Sequence, residues 1–372
     1  MQTIIYTGGM VLLWLSNLLN GTGLGAAYNT TEYTRLAVVA AVFLLLFDRI
    51  FREKVWYASK RYFYTLIFVA AVFMLVPQFK GHGWRGFDYL WVFLVTFLLA
   101  QTRPDRKAIC WTGAIYAALG LAILFIFNYM DALDGWNPNS IAMIGLFSYL
   151  VFMIPYYGVR DWQSVVMLTL VGAAYVALIW PTGSRSCCIA IVLALLMTFR
   201  IAPAEKLLGS RKKLFTALQV PLMVALLGCV IALTADLEIL NNWSTENLGK
   251  TFFNGRDQIW LDTFRGMESN LLFGSGYISN GLYHNSAVAC LAAYGVVGYI
   301  LWILLFHVIL SDALPHQQDV CVMGATTAFF IIFWQQSLEL GLFSASPNLI
   351  PYVVLGVMLG RVGAPKEQEC QK

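Results

Sequence analysis

The sequence predicts an all-helical protein that crosses a membrane many times. Of its 372 residues, 59% are apolar and only 12% are charged, against about 25% charged in ordinary soluble domains. The mean hydropathy is +0.69, and this much apolar surface cannot be hidden inside a water-soluble globule. Long apolar segments also recur along the whole chain. Together these observations exclude a soluble enzyme, a nucleic-acid-binding module, a disordered chain and a collagen-like fibre.

The apolar segments predict the number of membrane spans. A helix needs about 20 mostly apolar residues to cross a hydrocarbon core of ~30 Å. On that criterion we expect about twelve transmembrane helices in a single transmembrane domain, residues 1–372. They lie near 4–20, 34–50, 62–78, 87–101, 108–128, 139–157, 163–181, 186–202, 214–234, 286–310, 319–336 and 340–360. No Lys or Arg precedes the first segment and no clean cleavage site follows it, so we expect it to be retained.

The Lys and Arg residues alternate from one connection to the next. With the N-terminus in the cytoplasm, 17 of the 24 fall in the cytoplasmic connections and the C-terminal tail. Five of these lie in 48–61 and five in 200–213, whereas 311–318 carries none. Because cytoplasmic loops carry an excess of Lys and Arg, we expect both termini in the cytoplasm.

Two features that the sequence lacks narrow the range of possible functions further. No charged residue lies near the middle of a predicted span, whereas ion-coupled transporters usually hold ionisable groups at that depth. A transporter or flippase therefore becomes less favoured without being excluded. None of the seven cysteines forms a C-x-x-C pattern, so we expect neither a disulfide framework nor a zinc site. We also expect no other metal and no cofactor.

Residues 235–285 form the only long connection, between the ninth and tenth spans, and the charge pattern places it outside. Long structured insertions are usually functional, although a merely decorative ectodomain is the alternative. Ile259, Trp260, Phe264 and Met267 form an apolar stripe in this segment. The stripe predicts a short amphipathic helix at the membrane surface.

Two outer arginines are candidate phosphate ligands. Arg256 lies in the first turn of the predicted amphipathic helix, and Arg185 stands in a Gly/Ser turn that opens the eighth span. A guanidinium matches phosphate geometry with two parallel hydrogen bonds, and a helix N-terminus favours anions. The alternatives are a solvated charge at Arg256 and a side chain that only reaches the headgroups at Arg185.

His284 is the candidate catalytic residue. It lies at the outer entry to the tenth span, whereas His307 and His316 lie toward the inner side. Imidazole is the most common general base in enzymes, and a structural hydrogen bond is the alternative role. Asn139, at the outer entry to the sixth span, adds an amide without any positive charge in its loop.

Several of these residues belong to an ordered set of motifs. The sequence resembles the O-antigen ligase and O-antigen polymerase superfamily of bacterial envelope glycosyltransferases, with order and spacing that agree over residues 137–298. The matching motifs are Asn137-Pro138-Asn139, Thr182-Gly183-Ser184-Arg185-Ser186, Gly255-Arg256-Asp257 with Trp260, Leu272-Phe273-Gly274-Ser275-Gly276, His284-Asn285 and Tyr294-Gly295-Val296-Val297-Gly298.

The resemblance implies a GT-C-like membrane fold and a metal-independent glycan transfer. The donor would be a glycan on undecaprenyl diphosphate, and the reaction would occur at the outer face of the bacterial inner membrane. A ligase would use lipid A-core sugar as acceptor, and a polymerase another lipid-linked glycan. By matching positions, Arg185 and Arg256 would bind the diphosphate, and His284 would act on the acceptor hydroxyl. The supporting positions are Asn139, Ser184, Gly274, Gly276 and Asn285.

The sequence departs from this family at two points. The turn before Gly274 lacks a proline that is often present there, and the outer loop is modest in length. Neither departure removes a proposed catalytic group, but both leave the acceptor open. A ligase is therefore the first hypothesis, a polymerase the second, a transporter of lipid-linked glycans the third and a structural scaffold the fourth.

Overall fold

The computed structural model describes residues 2–21, 31–52, 60–130, 136–202, 204–249, 251–277, 283–344 and 347–363. Within these ranges the chain is built from α-helices joined by short 3-10 turns, and the described residues contain no β-strand. The helices are α1 Gln2–Gly21, α2 Thr31–Arg52, α3 Lys60–Phe79, α4 Phe87–Leu99, α5 Arg106–Tyr129, α6 Pro138–Met153, α7 Trp162–Ile179, α8 Arg185–Thr198, α9 Ala204–Leu208, α10 Arg211–Ala217, α11 Val220–Thr234, α12 Leu237–Leu248, α13 Arg256–Gly266, α14 Ser286–Ala313, α15 Val320–Gln335 and α16 Ile350–Val362.

The all-helical prediction is confirmed for the described residues, and each of the twelve predicted segments contains a helix. In the described part of the chain, five helical segments are long and apolar enough to cross a membrane by themselves, and the bent pair α10 and α11 makes a sixth. The other predicted spans correspond to apolar helices of 10–17 residues. The count of twelve crossings therefore stays a prediction.

The last predicted span was wrong in its first half. Residues 340–360 were expected to form one helix, but α16 begins only at Ile350. Leu342 and Phe343 are fully buried in the irregular chain before it, which explains the hydropathy signal. Hydropathy reports burial of apolar side chains and cannot distinguish a buried irregular segment from a helix.

Burial separates central helices from peripheral ones. In the apolar stretch of α6, 83% of the residues are buried, and in that of α14 72% are buried. The corresponding share is 28% in α3 and in α7. The peripheral helices carry large apolar side chains on their free surface, among them Tyr64, Phe68 and Leu170. A helix that is apolar on both its packed and its free face is suited to lipid contact.

Helix α14 is broken at Gly295, where φ is 65° and ψ is −167°. A loop formed by residues 271–276 supplies the hydrogen bonds that the break leaves open. Ser275 and Gly276 donate their N–H groups to the carbonyls of Ala292 and Ala293, at 2.9 and 2.7 Å. In return, the N–H groups of residues 296 and 297 donate to the carbonyls of residues 271 and 272. Two of the family-like motifs therefore form one structural joint.

Helix α13 is amphipathic as predicted, but its apolar stripe faces protein. Trp260 is fully buried, and its Nε1 donates a hydrogen bond to the carbonyl of Tyr283 at 2.7 Å. A Cβ at Gly228 of α11 would lie only 2.7 Å from the Trp260 ring, so α13 packs tightly on α11. Trp260 therefore packs against α11 and α14 where lipid contact was expected, and the location of α13 at the membrane surface stays a prediction.

Candidate functional site

Three helix N-termini converge on one cavity. Asn139 in the first turn of α6, Arg185 at the start of α8 and Arg256 at the start of α13 all line it. The cavity has a volume of about 180 Å³. Each helix start presents N–H groups that have no partner within the helix and carries partial positive charge. Its described lining is Asn139, Gly183, Ser184, Arg185, Ser186, Ile189, Thr251, Phe252, Phe253, Asn254, Arg256, Leu338 and Glu339.

A glycine turn places each arginine. Gly183 has φ 73° and Gly255 has φ 77°, a left-handed conformation that glycine adopts without steric cost. Gly183 lies two residues before the first residue of α8, and Gly255 immediately precedes the first residue of α13. The local sequence therefore reverses the chain and starts a helix with arginine at both positions. The prediction that Arg185 opens a helix within a glycine turn is confirmed.

Glu339 joins Arg256 to His284. The Arg256 Nη2 donates to Glu339 Oε1 at 3.1 Å, and the His284 Nδ1 lies 3.7 Å from Glu339 Oε2. The glutamate side chain is only 7% exposed, whereas those of Arg256 and His284 are 16% and 24% exposed. A buried carboxylate needs cationic or hydrogen-bonding partners to offset its loss of water. Oε1 accepts a hydrogen bond from Arg256, and Oε2 faces the His284 ring.

The backbone around His284 is held from both sides. His284 itself has φ 47°, which is uncommon for a residue other than glycine and is often found at functional sites. On one side Trp260 binds the carbonyl of Tyr283. On the other side Asn285 is fully buried, and its Nδ2 donates to the carbonyls of Pro221 and Ser337. These bonds keep the imidazole at its place beside Glu339.

A buried polar network holds the irregular chain that carries Glu339. The N–H of Ser286 donates to the carbonyl of Gln336 at 3.1 Å. The Gln336 side chain accepts from the N–H of Leu342 at 2.9 Å, and Asn348 donates its N–H to the carbonyl of Gly341. Because buried backbone groups must find partners, this segment can remain non-helical inside the protein.

The predicted supporting residues fall into two groups. Asn139 and Ser184 line the cavity, and the Ser184 hydroxyl donates to the Cys187 sulfur at 3.2 Å. Gly274 and Gly276 are absent from that lining and belong to the joint with α14. A Cβ at Gly274 would lie 2.5 Å from the Ala293 carbonyl carbon. Asn285 caps α14, because its Oδ1 accepts from the N–H groups of residues 287 and 288.

Glu339 was not among the predicted site residues. This residue lies in the three-residue connection 337–339 between the last two predicted spans, and the charge pattern places that connection outside. A single carboxylate between two apolar segments was the available signal. It carries no motif, and its partners are 83 and 55 residues away along the chain, so proximity could not be read from spacing.

A metal would need several ligands close together. The described residues contain no group of three or more His, Cys, Asp or Glu side chains that could hold a metal ion. The cavity lining offers Glu339 as its carboxylate together with two guanidinium groups. The described lining therefore carries more positive than negative charge.

Comparison with known proteins agrees with the motifs. No family model matches the chain. A curated protein named O-antigen ligase, from Pseudomonas aeruginosa, is 26% identical over 259 residues. The match covers 63% of this chain and 59% of the relative, so the chain spans about three fifths of the length of that protein. The resemblance of this chain to the O-antigen ligase superfamily, first drawn from its ordered motifs, is thus confirmed by a relative that carries the name.

Proposed function

We propose that this chain is a membrane glycosyltransferase that moves a glycan from undecaprenyl diphosphate to an acceptor hydroxyl, as an O-antigen ligase does. The observation that carries the proposal is the convergence of three helix N-termini and two arginines on one cavity, whose Glu339 faces His284. The name of the relative supports the same class. The reaction takes place at the outer face of the bacterial inner membrane, with both termini in the cytoplasm.

The cavity suits a diphosphate leaving group. Cleavage of the sugar–phosphate bond adds negative charge to the bridging oxygen, so fixed positive groups stabilise the transition state. Arg185 and Arg256 provide permanent charge and planar donors for bidentate binding. The helix starts add oriented N–H groups at the same place. The proposed reaction therefore needs neither a metal nor another cofactor.

His284 is the proposed general base. The acceptor hydroxyl loses its proton as it attacks the anomeric carbon, and a positioned imidazole can accept that proton. The segment after Arg256 and the segment before α14 meet through Trp260 and Tyr283, and this contact supports a single site for donor binding and acceptor activation. Direct attack from the face opposite the diphosphate inverts the anomeric centre.

The alternative in the same superfamily is a polymerase, which uses a second lipid-linked glycan as acceptor. Purified protein in detergent, given one defined lipid-linked donor, is incubated separately with lipid A-core and with a second lipid-linked glycan. Product on lipid A-core supports the ligase, and product on the lipid-linked glycan alone supports the polymerase. Binding of the donor without any product would leave a transporter, because transport needs a sealed compartment and forms no glycosidic bond.

A further inference from the structure

Glu339 poses a problem for a cavity that binds diphosphate. Its carboxylate lines the same cavity as Arg185 and Arg256, so it would repel an anionic ligand. It also neutralises part of the charge of Arg256, which it contacts at 3.1 Å. A site shaped only for diphosphate affinity would gain from losing this group. The glutamate must therefore contribute something that offsets its cost to donor binding.

The contact with His284 provides that contribution. Glu339 Oε2 lies 3.7 Å from Nδ1 of His284, and catalytic hydrogen bonds often shorten only when substrate is bound. An Nδ1–H directed at this oxygen leaves Nε2 of the same ring with its lone pair available. A carboxylate on one imidazole nitrogen also stabilises the positive charge that the ring acquires when the other nitrogen takes a proton.

The glutamate is poorly placed to be the base itself. Its two oxygens have different partners, with Oε1 on Arg256 and Oε2 on His284. The imidazole has one nitrogen facing the carboxylate and a second that is free to face an acceptor. Proton transfer is therefore assigned to His284.

We propose that Glu339 is a positioning residue that orients His284 as the base and ties it to the arginine that binds the donor. This inference rests on the proposed transferase function. The acceptor proton moves to Nε2 of His284 while the acceptor oxygen bonds to the anomeric carbon. The bond from that carbon to the diphosphate oxygen breaks, and its electron pair leaves on the diphosphate held by Arg185 and Arg256. The Nδ1 proton stays on His284, directed at Glu339.

The test uses the full-length protein in detergent and two separate measurements. Binding is measured with undecaprenyl diphosphate, and transfer is measured at saturating lipid-linked donor. The variants are Glu339→Gln, Glu339→Asp, His284→Ala and the His284→Ala/Glu339→Gln double variant. Glu268→Gln is the matched control, because Glu268 is exposed in the same outer segment. Thermal unfolding of each variant checks that it is folded.

Glu339→Gln should bind undecaprenyl diphosphate as tightly as the wild type or more tightly, because a repelling charge is gone. Its transfer rate should fall by about 10²–10⁴-fold, the range for loss of general-base catalysis. The double variant should be no slower than His284→Ala alone, because Glu339 acts through the histidine. Glu339→Asp keeps the charge and should retain more transfer than Glu339→Gln. The Glu268→Gln control should match the wild type.

Three outcomes would overturn this role. A folded Glu339→Gln that loses binding and transfer together would make Glu339 a structural partner of Arg256. A further loss in the double variant would show that Glu339 acts independently of His284. A Glu339→Gln that will not fold, together with a fully active Glu339→Asp that binds like the wild type, would leave only a structural ion pair. Wild-type protein that binds undecaprenyl diphosphate but transfers nothing would instead remove the proposed function, and the inference with it.

Discussion

The two ends of the helix bundle use arginine differently. At the end where α16 stops, Arg361 Nε donates to Asp319 Oδ2 at 2.8 Å, and Nη1 donates to the carbonyl of Pro104. Asp319 in turn caps α15 through the N–H groups of residues 321 and 322. This arginine is only 8% exposed, and its contacts join three parts of the chain. Its role is structural.

At the other end, where α8, α13 and α14 begin, the arginines face a cavity. Arg256 contacts Glu339 through Nη2, while its buried Nε has no hydrogen-bond partner among the described residues. The described cavity lining holds two arginines and one glutamate. At one end the arginine binds a carbonyl and a carboxylate within the protein, whereas at the other end two arginines and a glutamate line a cavity. The proposed anionic donor is assigned to the end with the cavity.

Membrane topology gives the largest expected effect that separates the two ends of the bundle, because a reporter reads as either outside or inside. A reporter fused at Asn242, in α12, should read as outside, and one at Lys212, in α10, should read as inside. The reason is that 200–213 holds five Lys and Arg residues, whereas the much longer segment 235–285 holds only three. The opposite reading at either site would place the cavity on the cytoplasmic side and remove the proposed reaction.

His284→Ala should have the next largest effect. Transfer should fall by about 10²–10⁴-fold, because the general base is lost. The protein should stay folded and still bind undecaprenyl diphosphate, since the arginines and helix starts are unchanged. His307→Ala is the control, because His307 lies near the far end of α14 and is not among the described residues that line the cavity. Near-full turnover in His284→Ala would reassign the residue to a structural role.

Lysine should be a poor substitute for either cavity arginine. It keeps the charge but lacks the planar pair of donors. Losing one charge-assisted hydrogen bond costs about 1.5–3 kcal/mol, so Arg185→Lys and Arg256→Lys should each slow transfer about 10–150-fold. Arg265 is the matched control, because it is 64% exposed in the same helix as Arg256 and pairs only at 3.6 Å with Asp262. Equal activity in all three lysine variants would mean that general positive charge suffices.

Arg361→Ala should act on stability and leave catalysis alone. It removes the bond to Asp319 and should lower the free energy of unfolding by ~1.5–3 kcal/mol. Thermal unfolding in detergent measures this loss, and transfer per folded molecule should equal that of the wild type at low temperature. A specific loss of transfer in folded Arg361→Ala would contradict the purely structural role of Arg361.

The smallest expected effect is that of a chelator. Exhaustive EDTA treatment should leave transfer unchanged, because the arginines and helix starts supply the charge that a divalent ion would otherwise provide. The measurement is the transfer rate before treatment, after treatment and after addition of Mg²⁺ or Mn²⁺. Activity that is lost with EDTA and restored by either ion would refute the metal-independent mechanism.

Local sequence was sufficient for the helices and for part of the site. Helix length and hydropathy are properties of contiguous residues, so the twelve segments all contain helices even though their number of crossings stays a prediction. Glycine turns before Arg185 and Arg256 are local as well, and both arginines begin helices as the motif order suggested. His284 lies just before a span, and the structure places it there.

Tertiary structure decided what these local features touch. An apolar stripe at helical spacing shows that one face of α13 avoids water, but only packing shows that α11 covers Trp260 where lipid was expected. The segment before α16 is apolar, yet buried amide side chains allow it to remain irregular. Glu339 meets Arg256 and His284 only because α15 ends beside the start of α14. Hydropathy and capping depend on neighbours in sequence, whereas an ion pair depends on proximity in space, and folding alone creates that proximity.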